Sequence, residues 1–328
     1  EMSLLKNETM GFNWYLQPSP KREISTHLHR IHSFRRGGND FEKPFHEANI
    51  AEAPEHWRWG GTVRWKQHIS QDWNYKIFYS FSLLNRNSYY GGVGKESNPD
   101  SSAALAAYGK TENPLHIAGA RTHYKLGSHH FTAGLQIKQE SLTDNAVRNP
   151  LYYLDKTFNN AGFFLQDNLR FNQFDVVFGA RIDRHSELNN PVISPRLNIK
   201  YDLNQEMALR AGVSTGFKAP QIYNEDLHIC GLEGGQRVIR NASNLKEEKS
   251  VTGNLSFDYL GYISDMATMI NLTVYYTYLD NAFTLVDIPD TEPLINIWER
   301  QNGEGARVKG VEADFGFRPN NKTELRSS

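Results

Sequence analysis

The chain has 328 residues, with 36 Lys and Arg residues against 37 Asp and Glu residues, so its formal net charge is −1 at pH 7. Nucleic-acid-binding proteins normally carry a basic excess on one face, and this balance argues against that class. No run approaches the ~18 apolar residues that a transmembrane helix requires. Cys230 is the only cysteine, which excludes an intramolecular disulfide.

Alternation of apolar and polar residues, typical of amphipathic strands, recurs from the N-terminus onward. The first strand ends where Gln-Pro-Ser-Pro forbids further pairing. Long polar loops are predicted over residues 35–55, from about 88 to 114, around Tyr152 and Tyr153, and over 218–246. Predicted strands cover residues 10–16, 23–34, 57–66, 75–83, 115–126, 131–140, 163–171, 174–182, 193–203, 207–214, 251–259, 270–278 and 311–317, with another beginning near 322.

In the predicted hairpin within residues 192–220, the sequence distinguishes an apolar face from a polar face. Ile193, Leu197 and Ile199 fall on one side of its first strand, whereas Arg196 and Lys200 fall on the other. Two such strands form an antiparallel ribbon with one apolar and one polar side. The apolar side must therefore meet either a protein core or lipid.

Connection lengths separate these two possibilities. Short and long connections alternate through roughly fourteen strands, and a Greek-key sandwich has no reason to place its long loops at one end. An up-and-down transmembrane barrel has short periplasmic turns and long external loops, and its hydropathy signal per strand is weak. Aromatic residues, at 12%, also suffice for interfacial girdles. The sequence thus favours an all-β, antiparallel up-and-down transmembrane β-barrel over a soluble β protein.

Several short motifs recur in an order and at separations that resemble one family, the TonB-dependent outer-membrane receptors, particularly those of Bacteroidetes-type bacteria. The motifs in the second half are Ile193-Ser-Pro-Arg-Leu-Asn, Ser214-Thr-Gly-Phe-Lys-Ala-Pro, Asn244-Leu-Lys-Glu-Glu-Lys-Ser and Val308-Lys-Gly-Val-Glu. Those upstream are Arg35-Arg-Gly-Gly-Asn, His46-Glu-Ala-Asn-Ile-Ala-Glu, Ser88-Tyr-Tyr-Gly and Gly162-Phe-Phe-Leu-Gln-Asp.

This resemblance implies a 22-stranded barrel whose lumen is filled by a plug. Residues 1–328 are then expected to form the middle of the barrel domain, without the N-terminal plug and the C-terminal strands. About fourteen strands cannot close such a barrel and would leave two unpaired edges in lipid. The expected location is the outer membrane of a Gram-negative bacterium, and the expected partners are outer-membrane lipid, the plug, the TonB-ExbB-ExbD complex and a surface lipoprotein.

The resemblance also implies active import of a scarce, bulky ligand. An iron chelate, siderophore or haem, is the first expectation and cobalamin the second, so that the ligand carries iron or cobalt while the chain binds no cofactor or metal of its own. No nucleophile elbow, Walker loop, CxxC or HExxH motif is present, and the chain is not expected to be an enzyme. A passive porin and a soluble glycan-binding β protein remain alternatives.

Candidate ligand-binding residues lie in the predicted external loops. Arginines at a loop mouth can attract an anionic chelate, and tyrosines can stack on a flat ligand. The alternatives are a solvated or lipopolysaccharide-facing role for the arginines and a membrane-girdle role for the tyrosines. These candidates are Arg35, Arg36, Tyr89, Tyr90, Tyr152, Tyr153, Tyr223 and His228.

Two further sets follow from the predicted faces. A haem receptor needs an axial histidine in the lumen or in an external loop, for which His27, His29, His46, His56, His116 and His228 are eligible, with solvated histidines as the alternative. Polar networks with the plug are expected on the lumen side, through Arg196, Asn198, Lys200 and Arg210.

Overall fold

The structure is a computed structural model. It describes residues 3–93, 104–105, 107–146, 149–222, 229–230, 236–288, 295–320 and 322–327. None of these residues belongs to a helix long and apolar enough to cross a membrane. The described strands are β1 (Leu4–Ser19), β2 (Arg22–Gly38), β3 (Ala51–Glu52), β4 (Glu55–His68), β5 (Trp73–Gly91), β6 (Tyr108–Leu126), β7 (His129–Ala146), β8 (Asn149–Phe171), β9 (Phe174–His185), β10 (Val192–Asp202), β11 (Met207–Lys218), β12 (Ile229–Cys230), β13 (Gln236–Asn241), β14 (Glu248–Ile263), β15 (Met266–Asp280), β16 (Phe283–Ile288), β17 (Ile295–Asn302), β18 (Ala306–Asn320) and β19 (Thr323–Ser327).

Fifteen of these strands form one antiparallel sheet, the wall of the barrel. Apart from the two-residue β3, its members are the fourteen strands β1, β2, β4 to β11, β14, β15, β18 and β19, which pair in chain order. Within the described residues, β1 and β19 are the two edges of this sheet. The predicted all-β, up-and-down antiparallel architecture is confirmed.

The two ends of the wall differ in their connections. At the short-turn end, strands are joined by two to four residues, and several of these residues adopt a positive φ, among them Gly127 (58°), Asn172 (50°), Ser264 (49°) and Asp265 (66°). Such backbone matches the twist of the paired strands. At the other end, the external end, two connections are shorter than predicted. β7 and β8 extend until only residues 147–148 separate them, and residues 186–191 join β9 to β10.

One face of the wall leaves large apolar side chains uncovered. Leu135 is 59% exposed, Ile137 63%, Ile193 62% and Val311 73%, although all four lie within strands. A face of this kind suits lipid, because the outward positions of a transmembrane barrel alternate with polar positions that face its interior.

Residues 39–54, predicted as part of a long polar loop, fold into a compact cap. Their β3 pairs with both β2 and β5, directly beyond the start of β4. The side chain of Arg36 is buried, and its Nη2 donates hydrogen bonds to the carbonyl oxygens of Asp40 (3.0 Å) and Lys43 (2.9 Å). Short apolar side chains, including Ala48 and Ala51, pack against buried Tyr89 beneath the cap.

The two longest connections also contain structure that the sequence analysis missed. β12 and β13 lie between β11 and β14, within the predicted loop 218–246, and β16 and β17 lie between β15 and β18. β13 pairs in parallel with β17, so the two connections form one four-stranded external sheet. Alternate apolar residues in β17 (Ile295, Ile297) and β16 (Phe283, Leu285) could have indicated these strands.

We expect the cap to depend on Gly38 and not on its neighbour Gly37. Gly38 has a φ of +102°, and a Cβ atom there would lie 2.1 Å from the carbonyl oxygen of Ile50. The substitution Gly38→Ala should therefore cost at least about 1–3 kcal/mol of cap stability. Hydrogen exchange of residues 39–50 in the full-length protein measures this directly.

Gly37→Ala is the matched control, because the nearest atom to a Cβ there is 4.0 Å away. It should leave exchange in the cap unchanged. Equal exchange in the two variants would contradict the role assigned to Gly38.

Candidate functional site

The polar face of the wall lies opposite the lipid-facing residues. Lys200 of β10 is paired with Arg210 of β11, and Asn198 is paired with Gly212. Directly paired residues in antiparallel strands point to the same side, and alternation places Arg196 there too. The four residues predicted to face the lumen therefore share one face, and their contact with a plug stays a prediction.

Most cations on this face have a partner within the wall. Arg196 Nη2 donates to Gln166 Oε1, and Asn198 Oδ1 lies over Gly212, where a Cβ would be 2.6 Å away. The ion pairs are Lys200 Nζ–Asp202 Oδ1 (2.6 Å), Arg210 Nε–Asp258 Oδ2 (3.1 Å), Arg181 Nε–Asp183 Oδ2 (2.7 Å) and Lys138 Nζ–Glu140 Oε2 (2.8 Å). The wall thus satisfies much of its own charge before any other domain contacts it.

Arg35 and Arg36 are not loop residues, because β2 continues through Gly38. The Arg35 side chain is exposed and its backbone nitrogen donates to Pro54 O (3.0 Å). Arg36 is buried, and its guanidinium carbon lies 5.0 Å from the ring centroid of Phe45. Arg36 therefore stabilises the cap, and within the described structure its guanidinium is not open to a ligand.

The predicted loop tyrosines also lie in strands. Tyr89 and Tyr90 belong to β5, and Tyr89 is fully buried, with its ring 4.6 Å from that of Tyr108. Tyr153 belongs to β8 and is 64% exposed, and of Tyr152 the structure describes the backbone alone. Tyr90 is half-buried, and Tyr153, the more accessible ring, lies on the lipid-facing side through its pairing with Asn145.

Tyr223 and His228 lie outside the described residues. Their predicted contact with a ligand stays a prediction.

The histidines considered as haem ligands lie at several separate places in the structure, and only His27 and His29 among those described are neighbours. His27 and His29 are on the polar face with ring centroids 5.2 Å apart, and His27 Nδ1 is 2.6 Å from Asn13 Oδ1. His116 Nδ1 lies 2.7 Å from the hydroxyl of Tyr79, on the lipid-facing side, which removes His116 from the lumen set. His46 Nδ1 is 2.9 Å from Tyr108 Oη, under the cap.

His56 is the second residue of β4, at the external end. Among the described residues, no group of three or more His, Cys, Asp or Glu side chains is placed to hold a metal ion.

A buried polar network crosses three strands at the external end of the polar face. Arg86 of β5 donates to Thr111 Oγ1 of β6 from Nε (3.2 Å) and Nη2 (2.9 Å). The Thr111 hydroxyl in turn donates to Asp144 Oδ1 of β7, and all three side chains are buried. Because a buried charge is tolerated only when it is hydrogen-bonded, this network fixes the strand ends relative to one another.

A cavity of about 240 Å³ also lies on the polar face, and we call it the vestibule cavity. It is bounded by β7 to β9, by the end of β11 and by the residues that follow it. Its lining contains two cations, a buried amide and an aromatic ring, from the residues Lys138, Phe158, Asn160, His185, Lys218 and Gln221. Sequence analysis missed this set because its members are distant in the chain and none belongs to a recognisable motif.

A larger groove, of about 900 Å³, opens on the opposite side of the wall, between residues 186–191 and 243–247. Its lining includes Ile193 and Val251, which are exposed on the lipid-facing side. At its rim, burial raises the pKa of Glu247, but hydrogen bonding and attraction from Lys249, 2.9 Å away, outweigh it and hold that pKa below its usual value. The groove faces away from the lumen, so the vestibule cavity is the better candidate for ligand capture.

We expect Thr111→Val to destabilise the wall. The substitution removes the hydroxyl that bridges Arg86 and Asp144, at a cost of about 1–3 kcal/mol for buried polar groups left short of a partner. Thermal unfolding of the purified full-length protein in detergent should show a lower midpoint.

Thr157→Val is the matched control. Thr157 is exposed, and its hydroxyl lies 2.9 Å from Ser141 Oγ. It should leave the midpoint nearly unchanged, and equal shifts in the two variants would argue against a special role for the buried network.

Relatives in sequence include an outer-membrane protein and a siderophore receptor. The iron-regulated outer membrane virulence protein of Vibrio cholerae is 28% identical over 213 residues, which cover 62% of this chain and 32% of that protein. The probable TonB-dependent siderophore receptor PirA of Acinetobacter baumannii is 31% identical over 109 residues, covering 30% of this chain and 14% of the receptor. The chain thus spans a third or less of the length of these relatives.

Solved structures of the same architecture cover nearly all of the chain. The siderophore receptor PirA of Pseudomonas aeruginosa superposes with a TM-score of 0.76 at 17% identity, over 98% of this chain and 57% of that structure. A mutant of the ferric enterobactin receptor PfeA of the same organism gives 0.75 at 14% identity, over 98% and 51%. At such identities the likeness shows the fold alone.

The family profile described as "TonB dependent receptor-like, beta-barrel" matches residues 9–326, almost the whole chain. This match agrees with the antiparallel wall, its lipid-facing side and its polar side. The chain belongs to the TonB-dependent receptor β-barrel family of the Gram-negative outer membrane.

Proposed function

We propose that the full-length protein is an energised importer of an iron chelate, most simply a ferric siderophore. The vestibule cavity carries this proposal, because it places the cations Lys138 and Lys218 at the external end of the polar face. Cationic and hydrogen-bonding groups in a recess attract and orient an anionic chelate. The names of the Vibrio and Acinetobacter relatives, iron-regulated protein and siderophore receptor, support the same ligand class.

In this proposal a plug fills the lumen and blocks leakage. A barrel that binds its ligand tightly and is closed by a plug cannot pass that ligand by diffusion, so work must come from outside the barrel. The TonB-ExbB-ExbD complex would supply this work by pulling on the plug. Arg196, Asn198, Lys200 and Arg210 would contact the plug, and a surface lipoprotein would be a further partner.

Other ligands fit the same architecture. Haem would require an axial ligand, for which His27, His29 and His56 on the polar face are described candidates. Cobalamin import by the same mechanism is the second alternative, and a passive porin is a third, distinguished by the lack of a plug. A soluble glycan-binding protein conflicts with the outer-membrane family of the chain. The Bacteroidetes-type subgroup stays a prediction.

Growth on defined nutrients tests the ligand class. We expect a strain that lacks the gene to grow poorly when a ferric siderophore is the only iron source, and normally on haem or cobalamin. A defect on haem or cobalamin alone would replace the siderophore by that ligand. Normal growth on all three would contradict import of this class.

Binding to the purified full-length protein tests the vestibule cavity. We expect Lys138→Gln to weaken binding of the ferric siderophore about tenfold, because tenfold corresponds to ~1.4 kcal/mol and hydrogen bonds to charged groups contribute about that much. Lys110→Gln is the control, since Lys110 is exposed, paired with Glu112 at 2.7 Å, and lies on the lipid-facing side. Equal affinities for the two variants would place capture elsewhere.

A further inference from the structure

Three cations lie together on the polar face near the short-turn end. Lys76 of β5 is paired directly with Arg121 of β6, and Arg64 of β4 is paired with Phe78, two residues along β5 from Lys76. Direct partners across antiparallel strands have Cβ atoms roughly 4.5–5.5 Å apart, and positions two residues apart share a face. Arg64, Lys76 and Arg121 therefore project as one group, which we call the basic triad.

Most cations on this face have a partner within the wall, whereas the basic triad brings three cations together side by side. None of its three side chains forms an ion pair or a side-chain hydrogen bond with any described residue. Lys66, the other partner of Lys76 across the sheet, is held by Glu23, with Nζ and Oε1 3.2 Å apart. Glu23 Oε1 also lies 3.7 Å from His68 Nε2, which commits this carboxylate away from the triad.

Two aromatic rings lie beneath the triad. A Cβ atom at Gly119 would be 2.7 Å from the ring of Phe78, and one at Gly134 would be 2.5 Å from the ring of Phe164, so each ring lies against a glycine. Lys76 Nζ is 5.8 Å from the centroid of Phe78, and the guanidinium carbon of Arg121 is 5.4 Å from that of Phe164.

These rings support the cations without neutralising them. A cation over an aromatic face gains only about 0.5–1 kcal/mol at an exposed site. The triad thus keeps its positive charge, and packing on the rings limits where its side chains can move. The triad is therefore a preorganised binding site for an anion on the lumen side of the wall.

We propose that the basic triad binds one or more carboxylates of the plug. This inference rests on the proposed function, in which a plug fills the lumen. A domain packed on this wall would exclude water from three cations, and an unpaired charge taken out of water costs several kcal/mol. The plug must therefore present acidic side chains here, and the triad fixes its position at the short-turn, periplasmic end.

An anionic chelate in transit is the competing occupant. Such a ligand enters at the external end, whereas Lys76 is the fourth residue of β5 after its short turn. In a plugged barrel the chelate reaches the triad only after the plug has moved. In the resting receptor, the negative charge opposite the triad is thus assigned to the plug.

Photo-cross-linking in the full-length receptor, within isolated outer membranes, identifies the occupant. A photoreactive residue in place of Lys76 should cross-link to peptides N-terminal to this chain that contain Asp or Glu. The same residue in place of Arg170, which is 70% exposed and lies 3.6 Å from its own partner Asp175, should give far fewer such cross-links. Cross-links confined to barrel peptides would overturn the proposal.

Charge substitution gives a second readout. The triple variant Arg64→Gln, Lys76→Gln and Arg121→Gln should raise the current through the receptor in planar bilayers severalfold at a fixed urea concentration, because the plug is held less firmly. The charge-preserving variant Arg64→Lys, Lys76→Arg and Arg121→Lys should restore the low current. Arg170→Gln should behave as the unsubstituted receptor.

The current and the siderophore uptake of the triple variant distinguish binding of the plug from binding of the ligand. Unchanged current with slower siderophore uptake would assign the triad to the ligand and overturn binding to the plug. Unchanged current and unchanged uptake would also overturn it. Equal siderophore affinity in the triple variant and the unsubstituted receptor is expected, since the triad lies away from the vestibule cavity. A failure of the proposed function would appear instead in the growth and binding assays, whatever the cross-links show.

Discussion

The structure depends on one constraint, which is that backbone amide and carbonyl groups in lipid must be hydrogen-bonded within the protein. An antiparallel ladder that continues from strand to strand meets this requirement without help from water. The continuous pairing of strands from β1 to β19 follows from it, as do strands of up to 23 residues, far longer than the roughly five or six residues usual in soluble sheets. Once the ladder is fixed, each residue is assigned to a side by its parity alone.

That assignment separates two kinds of chemistry on one wall. The outward side carries exposed aliphatic and aromatic residues, and polar pairs such as Tyr79 and His116 occur where their hydrogen bonds are satisfied locally. The inner side carries charge, most of which is neutralised within one or two strands, as in Arg181 with Asp183. Neutralised pairs reduce the cost of placing charge on this side, and the basic triad stands out because three adjacent cations there lack an acidic partner among the described residues.

At the external end, side chains are surrounded by water and by packed connections instead of lipid, so polar and apolar residues are no longer sorted by face alone. The cap over β5 and the four-stranded external sheet bury residues that the alternating strands leave exposed, and they enclose charged groups such as Arg36 and Arg300. Arg300 Nη1 donates to Gln221 O (3.1 Å), which links β17 to the edge of the vestibule cavity. The proposed site of ligand capture thus borders a part of the protein that is held by packing and hydrogen bonds.

The sequence by itself determined the long strands of the wall, their two sides and the family, but not the short strands of the cap and of the external sheet. Alternation at Ile193 and Leu197 against Arg196 and Lys200 is local, so periodicity reveals it, and the polar turns between strands are equally local. The same reasoning failed at Arg36 and Tyr89, which the sequence placed in loops. Their burial depends on residues 39–54 folding back onto β5, a contact that no local pattern records.

Only the tertiary structure decided which distant residues meet. The vestibule cavity combines Lys138, His185 and Gln221 from three separate segments. The basic triad arises because pairing brings Arg64, Lys76 and Arg121 from three strands side by side. The physical reason is that alternation fixes the side of the sheet to which a residue points, whereas register between strands fixes its neighbours, and register is set by pairing across the whole sheet.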